Sequence, residues 1–196
     1  MMNHPIGNYA EIFAHQFDWL NNPMLIDELT GKQYTRKEVH AITKYLADQF
    51  HMVGGRTGDH IGFAVGDRLE WLPAFLAIHL VGGIPLILNP DLGRQTLLRE
   101  MALLPTRFLL SYKEEEGLHF SEMPNLCPIR TWNDNTLDQA ARASEACVVS
   151  ADTFTYSPSQ YYLYSSGTTG APKAVEHTTD HWPVFLRQLV AVVVLI

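Results

Sequence analysis

Two patterns of apolar residues alternate along the chain, one with helical spacing and one made of short apolar runs. Helical spacing predicts helices over Asn8–Leu20, after Thr35, over Leu69–Val81 and over Leu92–Leu104. Short apolar runs predict strands over His60–Val65, Ile84–Leu88, Arg107–Leu110 and Tyr161–Tyr164, with a brief one around Ile129. Strands that alternate with helices form a parallel sheet with helices packed against its faces. The pattern therefore predicts an α/β fold with a mostly parallel sheet flanked by helices.

The region around Thr35 carries two local signals for structure. Met24–Asp27 and Lys32–Tyr34 flank Thr30-Gly31, which predicts a short hairpin. Thr35 then stands three residues before Glu38, the spacing of a capping box at the start of a helix. The buried face of that helix is expected to consist of Val39, Ile42, Leu46 and Phe50.

Composition narrows the class of protein. With 196 residues, 46% of them hydrophobic and 18% charged, the chain has the balance of a globular protein of one domain or two small ones. Its 21 acidic residues exceed its 14 basic residues, for a net charge of −7. Nucleic acid is therefore not expected as a partner, because phosphate backbones bind clustered Lys and Arg.

Cysteine usage and hydropathy indicate a cytoplasmic protein. The two cysteines, Cys127 and Cys147, are too few for a disulfide framework and lack metal-ligand spacing. The first residues show no secretion signal, and no transmembrane segment is expected. The longest apolar run, Leu189–Ile196, is far shorter than the roughly 18 residues of a spanning helix. It resembles an element cut off in the middle, and we expect that it could associate with a partner.

The segment Ser165–Lys173 carries the most specific chemistry, with the sequence Ser-Ser-Gly-Thr-Thr-Gly-Ala-Pro-Lys. Glycines allow backbone amides to approach phosphate oxygens, hydroxyls donate hydrogen bonds, and a lysine neutralises charge. It is not a Walker-type loop, because Pro172 precedes the lysine and Ala174 follows it. Nor is it a nucleophile elbow, because Ser166 lacks a glycine two residues before it. The alternative interpretation is a flexible Ser/Gly linker.

A polar cluster follows this loop and admits two interpretations. His177 and His181 are four residues apart, as on one face of a helix, and could begin a metal site. The alternative is a helix start with Asp180 as the N-cap residue. Because no third ligand is apparent, we assign no metal ligands, and we assign no catalytic residue. His60 and His79 lie in apolar contexts typical of core histidines.

The run Tyr164–Lys173 resembles the signature phosphate loop of the AMP-forming adenylating superfamily, which includes acyl-CoA synthetases, aryl-CoA ligases, luciferases and peptide-synthetase adenylation domains. Shorter upstream segments agree in order and spacing. They are Gln33-Tyr34-Thr35, Gly58-Asp59, Leu69-Glu70-Trp71 and Gly82-Gly83-Ile84-Pro85 running to Asn89-Pro90. The resemblance extends from about Tyr9 to about Trp182.

The resemblance implies a two-step ligase reaction. ATP and a carboxylic acid, such as one of fatty acid metabolism, give an acyl-adenylate, and a thiol such as coenzyme A then accepts the acyl group. The ATP phosphates would be held by the loop. In the family's pattern Ser165, Ser166, Thr168 and Thr169 supply donors, Gly167 and Gly170 allow close approach, and Lys173 supplies the countercharge. Mg²⁺ is implied as well, with ligands expected beyond this sequence.

The resemblance also implies that residues 1–196 are only the N-terminal part of the large, AMP-binding domain. The family's adenine and ribose segments and its C-terminal domain with the catalytic lysine do not occur in the sequence, and Thr179 stands where members often have His. The chain is therefore expected to be a fragment that is inactive alone. Two other hypotheses stay open: a non-catalytic module that binds ATP, phosphate or a partner, and a Rossmann-like domain that carries the loop by chance. Against dinucleotide binding, no G-x-G-x-x-G segment follows a strand.

Overall fold

The fold consists of a short hairpin followed by alternating strands and helices. The computed structural model describes residues 23–28, 31–66, 69–92, 94–111, 127–130, 161–166 and 172–178. In chain order the elements are β1 (Pro23–Ile26), β2 (Gln33–Thr35), α1 (Arg36–Met52), β3 (His60–Ala64), α2 (Trp71–Leu80), β4 (Ile84–Ile87), α3 (Arg94–Ala102), β5 (Thr106–Ser111), β6 (Cys127–Arg130), β7 (Tyr161–Ser166) and β8 (Pro172–His177).

One mixed sheet contains all the described strands except β1 and β2, which pair with each other. Its strand order is β6-β5-β3-β4-β7-β8. The neighbours from β6 to β7 are parallel, and β8 runs antiparallel to β7. β6 contains Ile129 and pairs with β5, so the brief strand expected there is confirmed. The predicted α/β fold with a mostly parallel sheet is confirmed too.

The capping box predicted at Thr35 is present at the start of α1. The Thr35 backbone N–H donates to Oε2 of Glu38 at 2.6 Å, and the Glu38 backbone N–H donates to Oγ1 of Thr35 at 3.3 Å. These bonds satisfy backbone donors that a helix start leaves unpaired. The hairpin of β1 and β2 leads directly into this cap.

Helices cover both faces of the sheet. Successive side chains of a strand point to opposite faces, so each strand contributes to two cores. On β3, Ile61 and Phe63 point to the face covered by α1 and α2, whereas Ala64 points to the face covered by α3. The first core includes the predicted apolar face of α1, namely Val39, Ile42, Leu46 and Phe50. The second core is smaller and consists of Ala64, Leu88, Leu97, Met101 and Leu109, with Tyr164 packed against it.

Two histidines are buried in the layer formed by α1 and α2. Burial lowers the pKa of His79 to about 3, and its ring lies edge-on to Phe75 at 4.6 Å. Burial, together with the charge of Lys44, lowers the pKa of His40 to about 4. Both imidazoles are therefore neutral in the folded protein at neutral pH. The expectation of a core histidine at position 79 is confirmed.

Some expectations differ from the structure in detail. The helix expected over Leu92–Leu104 spans Arg94–Ala102, and the helix expected over Leu69–Val81 spans Trp71–Leu80. Strand β8 was not predicted, because a proline and a glutamate interrupt its apolar pattern. The helix expected over Asn8–Leu20 and the N-cap expected at Asp180 lie outside the described residues.

Among the helices of the described ranges, none has both the length and the apolar character needed to cross a bilayer.

Replacing Thr35 with Ala should lower the free energy of unfolding by about 1 kcal/mol, because the cap loses its side-chain acceptor. Urea denaturation followed by circular dichroism measures this change. Thr35→Ser keeps the hydroxyl and should stay close to the wild type. Equal losses in both variants would contradict the capping role.

Acid should destabilise the protein through His79, because the unfolded imidazole binds a proton near pH 6.5 and the folded one does so only near pH 3. Between those values, the free energy of unfolding should fall by about 1.4 kcal/mol for each pH unit of acidification on account of this residue. Urea titrations at several pH values should show a shallower acid dependence for His79→Leu. The matched control Met52→Leu, at an exposed position of α1 without a titratable group, should keep the wild-type slope.

Candidate functional site

The candidate phosphate loop begins where strand β7 ends at the carboxyl edge of the sheet. β7 pairs in parallel with β4 through Tyr162 opposite Leu86 and Leu163 opposite Ile87. Ligands of open α/β sheets bind outside the carboxyl ends of the strands. The aromatic strand predicted to lead into the loop is confirmed, and it places Ser165 and Ser166 at this edge.

The antiparallel register of β7 and β8 brings the two ends of the loop together. Ser165 pairs with Lys173, and Ser166 pairs with Pro172. Directly opposed residues of an antiparallel pair point to the same face, with Cβ atoms about 5 Å apart. Because both Ser165 and Lys173 are exposed, a hydroxyl donor and a cation stand side by side at the mouth of the loop.

The remaining predicted site residues can be placed only by their position in the chain. Gly167, Thr168, Thr169 and Gly170 lie outside the described residues, between the paired ends of β7 and β8. Of Ser166 the structure describes the backbone pairing with Pro172. The structure therefore brings Ser165 and Lys173 together, and the roles of the other loop residues stay predictions.

On the face of the hairpin that carries Ser165 and Lys173, the polar pair is followed by an apolar pair and then by an aromatic pair with distance from the loop. Leu163 and Val175 pair next, with 38% and 43% of their surfaces exposed. Tyr161 and His177 follow, and their rings stack at 4.8 Å with an interplanar angle of 6°. Tyr161 also lies edge-on to Phe75 of α2, which anchors this end of the hairpin to the first core.

The idea that His177 begins a helical metal site is wrong. His177 is the last residue of strand β8 and pairs with Tyr161, so its neighbours alternate between faces with a period of two residues. His181 lies outside the described residues. In the described ranges, no group of three or more His, Cys, Asp or Glu side chains is placed to hold a metal ion.

Two polar groups lie on the opposite face of the hairpin, behind the loop. The hydroxyl oxygen of Tyr164 is buried, and Glu100 of α3 is only 4% exposed. Burial raises the pKa of Glu100. Burial, followed by the charges of Glu100 and Tyr162, raises the pKa of Tyr164 to about 12, so the phenol stays protonated at neutral pH. Sequence reasoning missed Glu100, because a single acidic residue on an amphipathic helix is ordinarily exposed.

Comparison with known proteins agrees with the fold. Residues 14–193 match the family described as AMP-binding enzyme. The chain is 25% identical over 185 residues to 4-coumarate–CoA ligase 3 of Arabidopsis thaliana, covering 87% of this chain and 32% of that protein. It is 27% identical over 161 residues to 3-hydroxybenzoate–CoA/4-hydroxybenzoate–CoA ligase of Thauera aromatica, covering 74% and 30%. The chain spans about a third of the length of these curated relatives.

A solved structure with the same fold is o-succinylbenzoate coenzyme A synthetase from Bacillus subtilis in complex with ATP and magnesium ion. The TM-score is 0.63 at 22% sequence identity, and the alignment covers 88% of this chain and 44% of that one. Because the family match extends over most of the sequence and the sheet agrees with this fold, the chain belongs to the AMP-binding enzyme family.

Proposed function

We propose that the chain forms the phosphate-binding part of an ATP-dependent acid–thiol ligase, and that residues 165–173 hold the phosphates of ATP. The observation that carries this proposal is the cross-strand pair of Ser165 and Lys173, exposed together at the carboxyl edge of the sheet. A lysine and a hydroxyl that flank a Ser/Thr/Gly loop form a set of donors with no acidic side chain among them. Such a set suits a polyphosphate.

The loop residues act on the leaving pyrophosphate during formation of the acyl-adenylate. The carboxylate of the acid attacks the α-phosphorus of ATP, the bond to the bridging oxygen breaks, and pyrophosphate departs with the negative charge. Lys173 offsets that charge at the mouth of the loop. Hydroxyls and amides of Ser165, Ser166, Thr168 and Thr169 donate to the oxygens, and Gly167 and Gly170 allow the backbone to approach. Removing one well-placed donor of this kind typically raises a barrier by about 3 kcal/mol.

In this proposal, the other functional parts of the ligase lie outside residues 1–196. Residues 1–196 form a partial AMP-binding domain, the N-terminal portion of a longer enzyme, and are inactive alone. The relatives' length supports this division, since the chain covers 32% and 30% of two of them. Mg²⁺ would be held by residues of the longer enzyme outside 1–196, and it would supply further countercharge to the phosphates. Coenzyme A is the thiol acceptor, as the names of the relatives suggest.

The names of the relatives also bear on the acid and on the location. The names of these relatives specify 4-coumarate, hydroxybenzoates and o-succinylbenzoate as their acids. This favours an aryl carboxylic acid over a fatty acid as the substrate. Small soluble substrates of this kind, together with the low cysteine content, favour the cytoplasm.

The alternative function is a non-catalytic module that binds phosphate or a partner. Leu163 and Val175 favour it, because they form an exposed apolar pair beside the loop. A partner, or the apolar end Leu189–Ile196 of a second copy, would cover them. Polyphosphate binding without any adenylation activity in the longest reading frame would favour this alternative.

Binding of inorganic tripolyphosphate tests the loop in the 196-residue chain. Lys173→Ala should weaken binding at least about tenfold, because one charge-assisted contact is lost. The wild-type affinity should fall as ionic strength rises. Isothermal titration calorimetry measures both effects. Lys44→Ala removes an exposed lysine from α1 and should bind as the wild type does; equal weakening in the two variants would contradict a specific site.

Exchange of labelled pyrophosphate into ATP tests adenylation in the longest reading frame that contains the chain. With an aryl carboxylic acid present, Lys173→Ala should lower the exchange rate by about 100-fold or more, since the lost countercharge acts on the leaving group. Lys44→Ala should leave the rate unchanged. A normal exchange rate in Lys173→Ala would reject the proposed role of the loop.

A further inference from the structure

One row of side chains across the sheet is apolar from the central strands to the end formed by β8. The strand registers place Phe63 of β3 between Leu110 of β5 and Ile87 of β4. They also place Leu163 of β7 between Ile87 and Val175 of β8. Side chains that are directly opposed in neighbouring strands point to the same face. The row therefore crosses five strands on the face that α1 and α2 cover.

Exposure along this row rises toward β8, which is the last strand in the order of the described sheet. Leu110 is buried, Phe63 is 1% exposed, and Ile87 is partly buried against the first core. Leu163 and Val175 are the last two members, and both are exposed. We call these two residues the edge pair. The apolar row thus extends further than the burial that α1 and α2 provide.

The opposite face of the same strands ends in a different way. There the row of Gly62, Leu86 and Tyr162 continues to Glu176 of β8, which is exposed. A charged side chain on an exposed edge strand is ordinary. The edge pair departs from this pattern, because two directly opposed apolar side chains are exposed in the middle of their strands. The contrast indicates that this face of the hairpin meets another apolar surface.

We propose that the edge pair is the contact surface for an apolar segment of the longer enzyme outside residues 1–196, which continues the layer of α1 and α2 over this face of the sheet. Sheets of parallel strands in α/β folds have both faces covered. The length of the relatives supports this occupant, since the chain covers 32% and 30% of two of them. This inference rests on the proposed function, because it needs the longer enzyme.

The edge pair lies next to the candidate phosphate site. Lys173 is two residues before Val175 on the same face of β8, and Ser165 is two residues after Leu163 on β7. Two residues of a strand span about 7 Å. A segment that covers the edge pair therefore lies beside the mouth of the loop and forms one side of the phosphate site.

Cysteine labelling compares the edge pair in the 196-residue chain and in the longest reading frame that contains it. Val175→Cys and Leu163→Cys are each treated with N-ethylmaleimide, and peptide mass spectrometry separates the new site from Cys127 and Cys147. Both new cysteines should react at least about tenfold more slowly in the longer protein, because labelling of a covered thiol requires local opening.

Met52→Cys is the matched control for labelling. Met52 is 79% exposed at the end of α1, which leads into the start of β3 at the amino edge of the sheet, away from the loop. A cysteine there should react at the same rate in both proteins.

Val175→Thr tests the contact without labelling and keeps the branched shape of the side chain. In the 196-residue chain the urea midpoint should stay unchanged, because residue 175 is exposed. In the longer protein the midpoint should fall, because the hydroxyl would be buried in an apolar contact. Met52→Gln should leave both midpoints unchanged.

Three results would overturn the inference. Equal labelling rates of the edge pair in the two proteins would do so and leave the proposed function intact, because pyrophosphate exchange in Lys173→Ala tests that function separately. Slow labelling already in the 196-residue chain would show that a segment within the chain or a second copy covers the pair, and the dependence of the rate on protein concentration distinguishes these two. A reading frame limited to these residues would remove the proposed function as well.

Discussion

The antiparallel register between β7 and β8 is the constraint on which the candidate site depends. Ser165 and Lys173 are eight positions apart in the sequence, and only the pairing of the two strands places them opposite each other. A shift by one residue would turn Lys173 to the other face of the hairpin, because side chains alternate along a strand. The chemistry expected of the loop therefore depends on a backbone ladder as much as on the loop residues.

The parallel part of the sheet holds that hairpin in place. β7 is paired with β4, and β4 with β3, whose two faces are buried under helices. The turn into β4 packs closely against β3. A Cβ at Gly83 would lie 2.7 Å from Cδ1 of Ile61, which is closer than real side chains approach. A side chain at this position would therefore disturb the packing of the turn against β3.

The sequence was informative where local rules decide the structure. The capping box at Thr35 and the apolar run of β3 are local, and both were predicted correctly. Strand β8 was not predicted, because Pro172 and Glu176 have low strand propensity. Pairing with β7 stabilises the strand in spite of these two residues. Helix α3 was predicted too long by two residues at each end, as is common for helix boundaries.

The candidate site also depends partly on the local sequence and partly on tertiary packing. The composition of the loop and its resemblance to the family pattern predict that Ser165 and Lys173 bind phosphate, and the fold explains how the two residues meet. The burial of Glu100 could not be predicted from the sequence, because it depends on how α3 packs against the sheet. The same tertiary dependence corrected the helical interpretation of His177, which pairing with Tyr161 places in a strand.

Backbone amide NMR of the labelled 196-residue chain, titrated with magnesium and ATP, tests the central claim most directly. The account predicts that the largest chemical-shift changes fall within residues 165–173, on the amides of the loop and its two paired ends. Changes concentrated on α1 or on the hairpin of β1 and β2, or no changes at millimolar nucleotide, would contradict it.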